Sequence, residues 1–197
     1  MTEHKNKAIV LKTYLPAKHK LCLLDDQLGK IMAVPNRDDI GYGAFILYQA
    51  REQNGFYFMY AIEIIDLPLM LGKDDILFVH HVLELCYFFV PLHEQIPGLC
   101  HLLIKLYNCE KIVNNIQAKK IFLFQFFAAL GLYPEGARFQ TPYFHQLAAA
   151  SIDNIALYPI DLMIEQELDN WLLSCIALHP CTHNFKTVHF LQQNRTL

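Results

Sequence analysis

Apolar residues follow two different periods along the chain, and the change comes near Asp66. Before it they form short runs rich in β-branched and aromatic side chains: Ala8 to Leu15, Lys20 to Leu24, Lys30 to Val34, Ala44 to Ala50 and Phe56 to Ile65. Runs of this length and composition predict strands. Asp25 to Gly29 joins the second run to the third as a hairpin turn, and Arg51 to Gly55 joins the fourth to the fifth. The Asn54-Gly55 dipeptide is suited to the two positive φ angles of a tight hairpin turn. Five strands with no helix between them predict a small closed barrel, because closure removes the exposed strand edges.

From Leu67 onward the spacing is helical. Asp74-Asp75 predict the cap of a helix from Ile76 to Val90, stopped by Pro91. Pro97 reads as the first residue of a second helix, with Leu99, Leu102, Leu103 and Leu106 inward and His101 and Lys105 outward. Asn114 or Asn115 caps a third. Thr141-Pro142 announces a short helix to Ala150, Pro159 opens a long one from Asp161 to Leu178, and amphipathic turns from Phe185 to Leu191 close the chain. The predicted class is therefore α+β, a five-stranded OB-fold barrel over residues 1–68 followed by an all-α domain over 69–197.

The third helix is the centre of this plan. From Ile121 to Leu132 its only polar side chain is Gln125, so the helix is apolar all round and belongs in a core, with Phe122 to Leu130 largely buried. Gly131 offers a left-handed cap and Pro134 ends the turn. Its entrance carries two cations, Lys119 and Lys120, which are as readily structural as functional.

Composition narrows the class. With 197 residues, 54% hydrophobic and 18% charged, the chain has enough apolar material for real cores and is no disordered segment. The six cysteines form no Cys-x-x-Cys pair and read as reduced, buried thiols. No apolar run reaches the roughly 20 residues of a membrane helix, and the first residues lack a leader's apolar core, which predicts a cytoplasmic protein. A net charge of −3 excludes a generally basic nucleic-acid coat. The positive charge is local: Lys5, Lys7, Lys12, Lys18 and Lys20 face Glu3 alone within residues 1–24, whereas residues 25–66 are acidic.

Few residues carry reactive chemistry. The densest ligand group, Cys175, His179, Cys181 and His183, is broken by Pro180, and adjacent His80 and His81 cannot share a helical face, so no metal or other cofactor is predicted. There is no G-x-S-x-G elbow, phosphate-cradling glycine loop or H-E-x-x-H motif, and an enzyme is not expected. Asp161, Glu165, Glu167 and Asp169 read as the solvated face of the long helix. The first strands say more. Lys12, Lys18, Lys20 and Lys30 interleaved with Tyr14, Phe56 and Tyr57 combine cations for phosphates with rings for bases, as single-strand binding requires. Ordinary surface lysines on a barrel give the same pattern.

The order of these parts resembles the bacterial RecO family of recombination mediators. Lys7 to Leu11 followed by Lys20 to Val34 is similar to the family's opening strand and hairpin, Leu83 to Pro91 to its next helix, and Lys119 to Pro134 to its central apolar helix. Trp171 to Leu191 is similar to its closing segment. The resemblance implies an OB-fold and a helical domain. It also implies binding of single-stranded DNA, strand annealing, RecA loading with RecR, and docking on the acidic tail of single-strand DNA-binding protein, in the bacterial cytoplasm at the nucleoid. On this basis the DNA-contact residues are Lys7, Lys12, Tyr14, Lys18, Lys20, Lys30 and Arg37. Lys120 matches a family arginine that holds the acidic tail, with Lys119 and Arg138 as neighbouring cations. The chain departs from the family in two places. Glu135 to Asp161 lacks the cysteines of the family's zinc module, so no metal is implied, and the basic segment after the third strand is reduced to Pro35-Asn-Arg-Asp-Asp, which keeps only Arg37. The latter change also implies a second possibility, an adaptor whose barrel no longer holds nucleic acid.

Overall fold

The computed structural model describes residues 5–14, 19–67, 69–109, 112, 115–136, 139, 141–151, 154, 158 and 160–185, with only the backbone for 69–74. Five strands come first: β1 (Asn6–Thr13), β2 (Leu21–Asp25), β3 (Gly29–Val34), β4 (Phe45–Gln53) and β5 (Phe56–Asp66). They close into a barrel in the order β1-β2-β3-β5-β4. All neighbours are antiparallel except β3 and β5, which run parallel through Ala33 opposite Tyr57 and Val34 opposite Phe58. This is the expected OB-like barrel. Among the described residues, five helices follow: α1 (Leu69–Phe89), α2 (Leu99–Tyr107), α3 (Ile116–Ala129), α4 (Pro142–Ala149) and α5 (Leu162–Ala177). None of the described helices is long and apolar enough to cross a membrane.

Period-two alternation fills the barrel. Ala8, Val10, Leu21, Leu23, Ile31, Ala33, Ile46, Tyr48 and Met59 point inward and are buried. Asn54 and Gly55 both take positive φ, 52° and 75°, so the β4–β5 turn has the backbone that its dipeptide predicts. Past Tyr60 the alternation flips. The register jumps between Leu47 and Gln49, Ala61 takes a left-handed φ of 48°, and the inward residues change from Tyr57 and Met59 to Ile62 and Ile64.

Two compact units result, Met1–Leu69 with Leu83–Ile104 and Met70–Val82 with Lys105–Leu197. The division falls inside α1 and inside α2, so each helix contributes residues to both units.

In the barrel unit, Leu83–Ile104 covers the outer face of β2 and β3. Cys22, Leu24 and Lys30 point away from the barrel interior yet are buried. Lys30 Nζ donates to the Tyr87 carbonyl at 2.7 Å, and the Lys30 carbonyl accepts from the His93 amide at 2.7 Å. Gln95 Nε2 donates to the Asp26 carbonyl at 2.8 Å, and Cys100 Sγ to that of Leu24 at 3.7 Å. The β2–β3 turn is held from inside by Asp25, whose carboxylate accepts from the amides of Gln27 and Leu28 and from the Tyr48 hydroxyl at 2.6 Å.

In the helical unit α3 is the axis. Phe122 to Ala128 are buried, Ala129 is exposed and Leu130 half-buried, close to the predicted span. Asn115 caps the start by accepting from the Ala118 amide at 2.9 Å. The end is a Schellman turn, with Gly131 at φ 79°, its amide on the Ala128 carbonyl and the Leu132 amide on that of Phe127. Rings pack edge to face along the helix: Phe122 on Phe78, Phe124 on Phe144 and Trp171, and Phe127 on Trp171, with centroids 5.7–5.9 Å apart. Gln125 Nε2 donates to the Leu147 and Ala150 carbonyls at the end of α4, which explains the one polar residue in the run.

The span Leu69–Phe89 is two helical stretches meeting at Asp75, which is non-helical (φ −152°, ψ 46°), so a helix starts directly after Asp75 where the Asp74-Asp75 pair predicts one; the Asp75 carboxylate pairs with Lys119. α2 begins at Leu99, after Gly98 at φ 78°, and not at Pro97. α4 and α5 start where predicted. Asp161 caps α5 by accepting from the amides of Met163 and Ile164, both at 2.9 Å. Pro159 and the closing turns beyond Phe185 lie outside the described residues.

Burial of His81 in α1 lowers its pKa to about 4 from an ordinary 6.5. Between those values the unfolded chain takes up a proton that the folded helix refuses, so stability falls as pH drops from about 6.5 toward 4. At roughly 1.4 kcal/mol per pKa unit the loss is about 3 kcal/mol. Denaturant midpoints across this window should fall in the wild type and fall less in His81→Phe. Parallel slopes for the two proteins would show that His81 carries no such linkage.

Candidate nucleic-acid interface

The two lysines that open α3 are not free. Lys119 Nζ is ion-paired with Asp75 and lies 5.7 Å from the centre of the Phe78 ring. Lys120 Nζ donates to Glu165 Oε1 at 2.6 Å and Asp169 Oδ2 at 2.9 Å. Both lysines are buried, 6% and 5% exposed. The expected cationic rim is therefore corrected to an internal ion-pair layer. Glu165 and Asp169, four residues apart on α5, are likewise not on a solvated face; their side chains are only 17% exposed. Apolar burial of α3 draws its entrance inward, and charges taken out of water must be paired. Arg138 lies outside the described residues.

The barrel cations differ in their surroundings. Lys30 is buried on the Tyr87 carbonyl, and burial lowers its pKa, so the expectation of a surface phosphate contact is corrected. Arg37 is exposed, but its Nε and Nη2 hold both carboxylate oxygens of Asp39, whose pKa falls as that of Arg37 rises. Lys7 is exposed on β1, and Lys18 lies outside the described residues.

Lys12 and Lys20 remain, each exposed or half-exposed and each on a ring. Lys12 Nζ lies 4.5 Å from the Tyr87 ring centre and 5.2 Å from that of Tyr14. The two tyrosine hydroxyls share a 2.8 Å hydrogen bond. Burial, followed by this bond, pushes the Tyr14 phenol well above its ordinary value, so it stays neutral. Lys20 Nζ lies 4.1 Å over Phe56 and links the β1–β2 connection to the β4–β5 hairpin.

The structure adds residues that period-based reading missed. Arg51 lies 5.8 Å from the centre of the Tyr60 ring and, among the described residues, has no ion-pair partner. With Asn36, Phe58, Met59 and Tyr60 it lines a groove of about 440 Å³ beside the short β3–β5 seam. Tyr57, counted among the stacking rings, instead packs against the barrel core. The signal for Phe58 and Tyr60 was present in the sequence: large rings at alternate positions of a strand whose other residues, Tyr57 and Met59, already fill the inside.

Unpaired cations held on rings can neutralise phosphates and stack bases without reading sequence. The outer β2–β3 face, one of the two usual binding regions of such barrels, is closed by the chain's own Leu83–Ile104 segment, whereas Phe58 and Tyr60 of β5 are exposed among the described residues. Among the described residues no group of three or more histidine, cysteine, aspartate or glutamate side chains is placed to hold a metal. No protein-family model and no curated protein matches the chain, and what is shown is an OB-like barrel followed by helices, a fold compatible with nucleic-acid or protein binding.

Proposed function

We propose that the chain is a RecO-like mediator of DNA repair and recombination, without catalytic activity of its own, that binds single-stranded DNA through the barrel. The observation that carries it is the set of cation–ring pairs on the barrel: Lys12 on Tyr14 and on Tyr87 of the covering segment, and, on the β4–β5 side, Lys20 on Phe56 and Arg51 on Tyr60. The order of barrel, apolar helix and closing helix supports the further steps of strand annealing and RecA loading with RecR, at the bacterial nucleoid. Docking of an acidic tail rests on the resemblance alone, since such a tail would have to displace Asp75, Glu165 or Asp169 from the lysines.

The test is the affinity for a labelled oligonucleotide across a salt series. Three phosphate contacts predict a log–log slope of about −2 on single strands. Absence of binding at low salt would sink this function. A second reading, a protein adaptor without nucleic-acid binding, is favoured by the closed β2–β3 face and by the pairing of Arg37 with Asp39. Binding of an acidic tail peptide without binding of the oligonucleotide would select it.

A further inference from the structure

We propose that the outward row of β5, Phe56, Phe58 and Tyr60, is a stacking track for successive bases of a single strand, with Lys20 and Arg51 as the phosphate contacts at its two ends. The track rests on the reading that the barrel binds such a strand, and it assigns the path the strand takes. The three rings occupy alternate positions, so they share one face and lie about 6.7 Å apart along the strand. That is about twice the 3.4 Å rise of stacked nucleotides, a spacing at which an extended strand can lay one base on each ring.

The row is open and firmly backed. Phe58 and Tyr60 are 43% and 39% exposed, large values for such rings, while Met59 between them is buried in the barrel core. The bulge at Ala61 comes directly after Tyr60, so the alternation flips only past the last ring of the row. Arg51 is the cross-strand partner of Phe58 and reaches Tyr60, and Lys20 reaches Phe56. A phosphate held at either cation therefore brings its own base to the row.

Charge complementarity selects the occupant. Two cations for three rings match a polymer with one negative charge per aromatic base. An acidic peptide concentrates several carboxylates, whereas Arg51 is the one charged side chain among the described residues that line the groove. The nearby Glu63 is already paired with Lys5 at 2.8 Å.

Labelled oligothymidylate should bind Phe58→Ala and Tyr60→Ala about tenfold or more weakly than wild type, measured at a temperature where thermal melts show all three proteins folded. Arg51→Gln should reduce the salt slope by about 0.7. Ile65→Ser, exposed on the same strand beyond the row, should bind like wild type. Iodouracil in the oligonucleotide should cross-link to Phe58 or Tyr60. Wild-type binding that survives unchanged in the ring variants, with cross-links elsewhere, overturns the track and leaves barrel binding standing. No wild-type binding at low salt overturns both, and an acidic peptide that binds through these rings in place of the oligonucleotide assigns the groove to a protein and overturns the track as well.

Discussion

Replacement of Lys120 by methionine is expected to lower the stability of the helical unit by about 3–5 kcal/mol, the cost of breaking a buried ion pair from one side. Methionine keeps most of the lysine stem, so the loss isolates the ammonium. Glu165 and Asp169 would be left facing each other with side chains only 17% exposed and no cation between them. Little water reaches them to compensate, and like charges four residues apart on one helix repel. Neutralising the whole group in Lys120→Met/Glu165→Gln/Asp169→Asn should restore much of the loss, since the penalty belongs to the unpaired carboxylates. Denaturant unfolding of the three proteins measures this, and equal midpoints for wild type and Lys120→Met would show that the triad contributes nothing. The same result governs how tail docking is tested: a loss of peptide binding in a Lys120 variant counts only where the helical unit is still folded.

Gly29→Ala should cost about 4 kcal/mol in the barrel unit. Gly29 sits at φ 71°, where a side chain adds about 1–2 kcal/mol of strain. A Cβ there would also lie 2.1 Å from the Glu94 carbonyl oxygen and 2.7 Å from the Gln95 amide nitrogen. Neither backbone atom can yield easily, because this segment is tied to the sheet by the His93 amide on the Lys30 carbonyl and by Gln95 on Asp26. Such overpacking adds roughly 1–3 kcal/mol. Gly55→Ala is the control. It has a similar φ of 75° with nothing within 4 Å of the added carbon, so it should show the conformational cost alone. Lifting the segment also uncovers Cys22 and Cys100, whose thiols burial pushes up to about 11 and about 12. Faster thiol labelling in Gly29→Ala than in Gly55→Ala checks that the clash opens this face; equal labelling and equal stability would show that the contact yields freely.

Local signals made most of the fold legible. Asn54-Gly55, Asn115, Gly131 and Asp161 each act within a few residues of themselves, and each turn or cap lies where its residue type requires. The short β-branched runs and the all-round apolar run of α3 likewise announce strands and a core helix without reference to anything distant. One further feature could have been read. Leu21 to Leu24 is apolar on both strand faces, and a strand of that kind must be covered on both, as β2 is.

The candidate site was legible only in part, because a lysine carries no local mark of whether its charge is free. Lys12 and Lys30 look alike along the chain, yet one lies exposed over two rings and the other is buried on a carbonyl 57 residues away. Lys120 meets its carboxylates 45 and 49 residues downstream, a distance at which no period or spacing carries information. The chain by itself thus determined the barrel, the helices and their caps, since propensity, alternation and capping act over a few residues. Tertiary structure alone decided which cations stay open and which segment of the chain covers the β2–β3 face, since pairing and burial of charge depend on neighbours that only folding brings together.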